Sequence, residues 1–229
     1  MNDLSGRSSR WRAGRLLALP LSFACGCVPS ARLVSWWRGG VRIDRVGTGN
    51  PGAANVRRQL GNKAGAAVLA ADAAKGAAPV LWARKAGLGE HTVGMLGVLP
   101  AAGHVMVVGG KGAATTLGSA LATDPLAVAV ISPLLVASAK VHRLHAPLIL
   151  LTYLAYPLAR LLLGRTRREV GWSAALIAFI ISARLRGDGD WRALRDPLVA
   201  WERLVYDRDP GAPALDTPAV RAAPGEGIA

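Results

Sequence analysis

The chain has 229 residues, with 28 Lys and Arg against 14 Asp and Glu and a formal net charge of +14. Hydrophobic residues make up 52%, charged residues only 18%, and mean hydropathy is +0.30; soluble domains carry about a quarter of charged residues, so an ordinary soluble fold is excluded. Two cysteines exclude a disulfide framework, and without a nucleic-acid motif or an aromatic stacking platform no nucleic-acid partner is expected.

Residues 1–15 read as an Arg-rich arm (Arg7, Arg10, Arg12, Arg15). Leu16 to Trp37 is an apolar run long enough for a span, which takes about 20 residues. Pro20 and Pro29 imply kinks in it. Cys25 and Cys27, two residues apart, point to different helix faces and are not expected to bridge. The basic start mimics a signal peptide, but the run continues to a polar loop without a clear small-residue cleavage site. Residues 38–63 read as that polar loop. Further apolar runs follow: Ala64 to Ala83, containing Asp72 and Lys75; Thr92 to Val108; and Ala113 to Ala139. The last holds Asp124-Pro125 near its middle and reads either as one span or as two short segments. Ala146 to Leu163 is next, with Arg160 placed to snorkel toward the surface. Val170 to Ala183 is short. Residues 184–209 read as a polar surface segment and 210–229, rich in Pro, Ala and Gly, as a disordered tail.

The expected fold is all-α: a polytopic membrane helix bundle of six to seven membrane segments, some short or broken, with the membrane domain over 16–183. Trp36, Trp37, Trp82 and Trp172 fall at or near run edges, where an indole with an apolar body and one N–H suits the headgroup zone. The Lys/Arg bias does not orient the bundle.

Two polar constellations carry chemistry. The first is Gly47-Thr48-Gly49-Asn50-Pro51-Gly52-Ala53-Ala54-Asn55, followed by Arg57 and Arg58. Glycines let backbone N–H groups turn toward an anion, and the hydroxyl, amides and guanidinium groups add donors. An ordinary turn between two spans has the same composition. The second is Gly109-Gly110-Lys111-Gly112, opening an apolar helix with Thr115 and Thr116 in its first turns. A glycine turn feeding a helix N-terminus is an anion site, and Lys111 adds charge. It is not a nucleotide-binding P-loop, because Gly112 stands where Ser or Thr must follow the Lys. If the runs between them both cross, the two loops share one side of the membrane. Asp72 and Lys75, three residues apart, share a helical face; ionisable groups at membrane depth are costly, so the pair faces the bundle or sits near its end. His104 is a candidate acid or base, or a satisfied structural group.

In this order and spacing, VGTGNPGAANVRRQLGNKAG, DAAKG and GH…GGKGAATTLG with a following Asp-Pro resemble the bacterial acyl-phosphate:glycerol-3-phosphate acyltransferase family, from about Pro29 to about Pro133. The resemblance implies a multi-pass bacterial inner-membrane enzyme surrounded by membrane lipids. It would move a fatty acyl group from acyl phosphate to the 1-hydroxyl of glycerol 3-phosphate, giving lysophosphatidic acid. It implies no cofactor and no metal. Thr48 stands for the family's Ser, Arg58 for its essential Arg, and Asn50 and Asn55 for its Asn positions, while Ala54 replaces a Thr. The Gly-Gly-Lys-Gly loop is intact. Thr48, Arg58 and Lys111 therefore carry the catalytic expectation. Gly47, Gly49, Asn50, Gly52, Asn55, Asp72, Lys75, His104, Gly109, Gly110, Gly112 and Thr115 carry the substrate-binding one.

The chain also departs from the pattern. Arg42-Ile43-Asp44 reverses the family's Asp-Ile-Arg, and about five residues are missing between His104 and Gly109. The C-terminal His-Arg-x-Asn-Ile motif, with its later Arg-Leu and Glu, has no counterpart beyond the remnant Arg184-Leu185-Arg186-Gly187. His142 and His145 are substitutes by residue type only. Three readings follow: the acyltransferase, a non-catalytic paralogue binding phospholipid precursors or partner enzymes, and a small anion transporter.

Overall fold

The computed structural model describes residues 17–141, 145–186, 193 and 195–206, and among them there is no β-strand. The expected arm at 1–15, the tail at 210–229, His142 and the side chain of His145 lie outside the described residues.

Helix α1 (residues 17–26) and α2 (Ser30–Gly39) form one broken run over Leu17–Gly39. Pro29, with no N–H to donate, stands at the break. The Val28 carbonyl there accepts a hydrogen bond of 2.7 Å from Lys75 Nζ. Helix α3 (Ala53–Lys85) is interrupted at Gly61, whose φ of 83° only glycine adopts freely. The polar loop expected over 38–63 is therefore shorter than read. Its second half is helical, burying Asn55 and Val56 and exposing Arg57 and Arg58, an amphipathic turn that average polarity conceals.

Helix α4 (Glu90–Gly103) runs into a π-helical turn over His104–Val108. Helices α5 (Ala113–Thr123) and α6 (Pro125–Lys140) meet at Asp124, which caps α6 by accepting from Ala127 N–H. The long fourth run is thus two short segments. Then come α7 (His145–Leu162), α8 (Arg167–Arg186) and α9 (Pro197–Trp201), the last continuing into a second π-helical turn, Glu202–Tyr206.

Leu17–Gly39, Ala53–Lys85 and Glu90–Val108 are long and apolar enough to cross a membrane, and Pro125–Ser138 and Pro147–Leu162 are shorter apolar helices. The distribution of polarity agrees. On α7, Leu151, Leu154, Leu158 and Leu161 are about half exposed, while Tyr153, Tyr156 and Arg160 are buried. An apolar outer face over a polar inner one is the arrangement of a helix in lipid. Trp36, Trp37 and Trp82 are exposed near the ends of α2 and α3, whereas Trp172 donates from Nε1 to His91 Nδ1.

Close helix approach replaces bulky packing. A Cβ on Gly76 would lie 2.0 Å from the Thr115 carbonyl oxygen, and one on Gly118 would lie 1.9 Å from that of Ala73. Reciprocal glycines thus set the α3–α5 crossing, and Ser119 Oγ donates to the Gly76 carbonyl across it. Arg160 does not snorkel. It is 1% exposed and pairs with Asp124 and Glu169, because a buried carboxylate offers it more than the lipid-facing surface does.

Candidate functional site

The loop at 46–52 is built on Asn55. From the first turn of α3 its Nδ2 donates to the carbonyls of Ile43 and Val46, and its Oδ1 accepts from Thr48 N–H at 3.2 Å. Gly47 adopts a φ of +61° directly over this amide, where a Cβ would lie 2.4 Å from Asn55 Oδ1. The second glycine loop leaves α4 through the π-helical turn. That turn carries His104 beneath the loop. A Cβ on Gly110 would lie 2.2 Å from His104 Nε2. Gly109 and Gly112 take left-handed φ values of 79° and 71°, and Gly112 is the N-cap of α5.

Beneath the second loop is a buried polar cluster. Lys75 Nζ lies 2.7 Å from Asp72 Oδ1, 3.2 Å from His104 Nδ1 and 2.7 Å from the Val28 carbonyl. An ammonium has three donors and no acceptor, so all three are used inside the protein, and His104 Nδ1 must accept. Ser30 Oγ donates to Asp72. Asp72, Lys75 and His104 are all buried.

Both loops open onto one cavity of about 270 Å³. Its polar end is lined by Asn50, Asp72, His104, Lys111, Thr116 and Arg184, and its long wall by apolar residues of α5, α6, α7 and α8. Gly112, Ala113 and Ala114 bring the N-terminus of α5 to the polar end, where free N–H groups favour an anion. Among the described residues, Asn50 Oδ1 and Thr116 Oγ1 are buried without a hydrogen-bond partner, although both residues line the cavity. Arg184 comes from the end of α8. It is buried, its guanidinium lies 5.6 Å from the Tyr153 ring centroid, and it donates to the Leu204 carbonyl. Among the described residues, no group of three or more His, Cys, Asp or Glu is placed to hold a metal ion.

Of the residues singled out in the sequence, Asn50, Gly52, Asp72, His104, Lys111 and Gly112 line this cavity. Gly109 and Gly110 shape its loop. Lys75 and Asn55 stand behind it as supports. Gly47 and Gly49 give the first loop its left-handed turns. Thr115 is fully buried but does not line the cavity; its neighbour Thr116 does. Thr48 and Arg58 are exposed and do not line it either. Arg58 lies one helical turn beyond Ala54, a lining residue, on the same face. Arg184 was legible only as a motif remnant; its place in the cavity depends on how α8 packs.

The family described as "Glycerol-3-phosphate acyltransferase" matches residues 16–189. Among individual relatives, the chain is 41% identical over 116 residues to glycerol-3-phosphate acyltransferase 4 of Dehalococcoides mccartyi, covering 48% of this chain and 50% of that protein. It is 40% identical over 118 residues to the Geobacter sulfurreducens glycerol-3-phosphate acyltransferase, covering 49% of this chain and 60% of that one. The chain thus spans about half to three-fifths of the length of these relatives. The fold is similar to the crystal structure of PlsY (YgiH), an integral membrane glycerol 3-phosphate acyltransferase, in its glycerol 3-phosphate form. The TM-score is 0.67 at 25% identity, covering 75% of this chain and 88% of that one. The lysophosphatidic acid form of the same protein matches with a TM-score of 0.67 at 26% identity over the same shares.

Proposed function

The chain belongs to the glycerol-3-phosphate acyltransferase family, and on that premise we propose that it transfers a fatty acyl group from acyl phosphate to the 1-hydroxyl of glycerol 3-phosphate in the bacterial inner membrane. The observation that carries this reading is the cavity itself. One end gathers Lys111, Arg184, the α5 N-terminus and the Thr116 hydroxyl beside Asp72 and His104; the rest is mostly apolar. Phosphate fits the first end and a fatty chain fits the second.

In this reaction the 1-hydroxyl oxygen attacks the acyl carbonyl carbon. The new C–O ester bond forms as the C–O bond to phosphate breaks. The hydroxyl proton leaves with the departing phosphate, so the products are lysophosphatidic acid and inorganic phosphate. The donor is already activated, and no protein nucleophile is required. Lys111 and the loop N–H groups stabilise charge developing on the oxygens of the tetrahedral transition state. Arg184 supplies a second cation from α8, the helix that carries the motif remnant. Lys75 acts as a positioning residue, holding Asp72 and His104 in place. Arg58, at the rim, is the cation that first meets an incoming phosphate.

The test is turnover by purified protein in detergent, given acyl phosphate and glycerol 3-phosphate. Equal amounts of lysophosphatidic acid and free phosphate, lost in Lys111→Ala, support the reading. Glycerol 3-phosphate binding without product would favour the non-catalytic paralogue, the reading motivated by the missing C-terminal His and Asn. No product and no binding would sink both.

A further inference from the structure

The apolar wall of the cavity has a floor. Ala120, Val128 and Tyr156 line it there and pack into one buried cluster with Ala127 and Ala159. Helix α5 runs away from the glycine loop toward Ala120, α6 begins just beyond the floor, and α7 reaches Tyr156 two turns after Ile149, another lining residue. Tyr156 is 3% exposed, and its hydroxyl donates to the Ala120 carbonyl at 3.2 Å, tying α7 to α5 across the cavity bottom. Below the ring lies charge. The Arg160 guanidinium is 5.9 Å from the Tyr156 centroid, and Arg160 pairs in turn with Asp124 and Glu169.

We propose that Tyr156 is the chain-length stop of this site: the acyl chain runs from the Lys111 end along α5, α6 and α7 and ends on the Tyr156 ring. The inference rests on the acyl-transfer reading only for the identity of the ligand. Its physical basis is separate. A methyl terminus is stable against Ala120, Val128 and the tyrosine ring. Any further methylene must displace a ring hydrogen-bonded on one side and backed by a guanidinium–carboxylate cluster on the other. That cluster does not open to apolar matter without leaving buried charges unpaired.

The experiment measures thermal stabilisation of the detergent-solubilised protein by lysophosphatidic acids of increasing chain length, comparing wild type with Tyr156→Ala, Tyr156→Phe and Val128→Leu. Comparison between variants at each ligand cancels partition of the ligand into detergent. In wild type, affinity should rise with each added methylene and then stop rising at a definite length. Tyr156→Ala should move that break to longer chains, with roughly a fourfold gain for each methylene newly buried. Val128→Leu should move it to shorter ones. Tyr156→Phe keeps the ring and should leave the break in place. If Tyr156→Ala does not fold, the Val128→Leu and Tyr156→Phe arms decide alone. Parallel curves with an unmoved break, or no break in wild type, would overturn the proposal. Turnover assayed alongside separates the two claims: a shifting break without product keeps the stop and sinks acyl transfer, whereas product formation with an immovable break does the reverse.

Discussion

Lys75 Nζ contacts Asp72 Oδ1 at 2.7 Å and His104 Nδ1 at 3.2 Å, so one buried ammonium holds a carboxylate on its own helix and an imidazole on the next. Because its third donor is held by the Val28 carbonyl, it also links the break between α1 and α2 to the core of the site. The pair first visible as Asp and Lys three residues apart is the support on which the second glycine loop rests.

Breaking that pair on one side should cost more than removing it whole. Lys75→Met leaves Asp72 buried without its cation, a loss of about 3–5 kcal/mol, whereas Asp72→Leu combined with Lys75→Met leaves no uncompensated charge. Thermal melting in detergent should show the double variant more stable than the Lys75→Met single variant. A double variant less stable than both singles would contradict the account.

Gly110→Ala should impair activity while leaving the fold intact. The added Cβ would lie 2.2 Å from His104 Nε2, so the ring or the loop must shift. A displacement of that order near a reacting centre costs about a hundredfold in rate. Turnover should fall by that order with melting temperature little changed. By contrast, Gly89→Ala meets nothing within 4 Å among the described residues and should retain wild-type turnover.

Asn55→Ala should loosen the first loop. Three hydrogen bonds to the Ile43 and Val46 carbonyls and the Thr48 N–H disappear. At about 1 kcal/mol each, the loss is about 2–4 kcal/mol. Thermal melts quantify it, and proteolysis between Val46 and Pro51 should accelerate. Arg57→Ala, on the exposed face, should do neither.

The Asp124 cluster should make stability acid-sensitive. Burial works to raise the Asp124 carboxyl, but hydrogen bonds from Arg165 and the Ala127 N–H, with the Arg165 and Arg160 charges, outweigh it and hold the group below its usual range. A depressed folded value stabilises the protein above the unfolded pKa, near 3.9, and that stability is lost as pH falls through the folded value. Melting temperature should therefore drop below about pH 4. Asp124→Asn should remove at least about 2 kcal/mol at neutral pH and weaken the acid dependence.

Much of the helical plan was legible because lipid imposes a simple rule of length and polarity. Both glycine loops were visible for a related reason: among Ala, Leu and Val, runs of Gly, Asn and Lys stand out. The rest depended on packing. Arg160 sits in an apolar run with the spacing of a snorkelling residue, yet Asp124, distant in sequence, holds it inside. The choice of Thr116 over Thr115 for the cavity is a matter of helix rotation that adjacent threonines do not reveal. The helical turn carrying Arg58 was concealed because polar residues cover its exposed face while Val56 alone is apolar and fully buried.

The most direct test of a single cavity holding both phosphate and acyl chain is an experimental structure of the protein with lysophosphatidic acid bound. The phosphate is expected within hydrogen-bond reach of Lys111 and Arg184, with the chain between α5, α6 and α7 and its end on Tyr156. A phosphate held by Arg58 outside the loop, with the chain on the lipid-facing leucines of α7, would contradict the account.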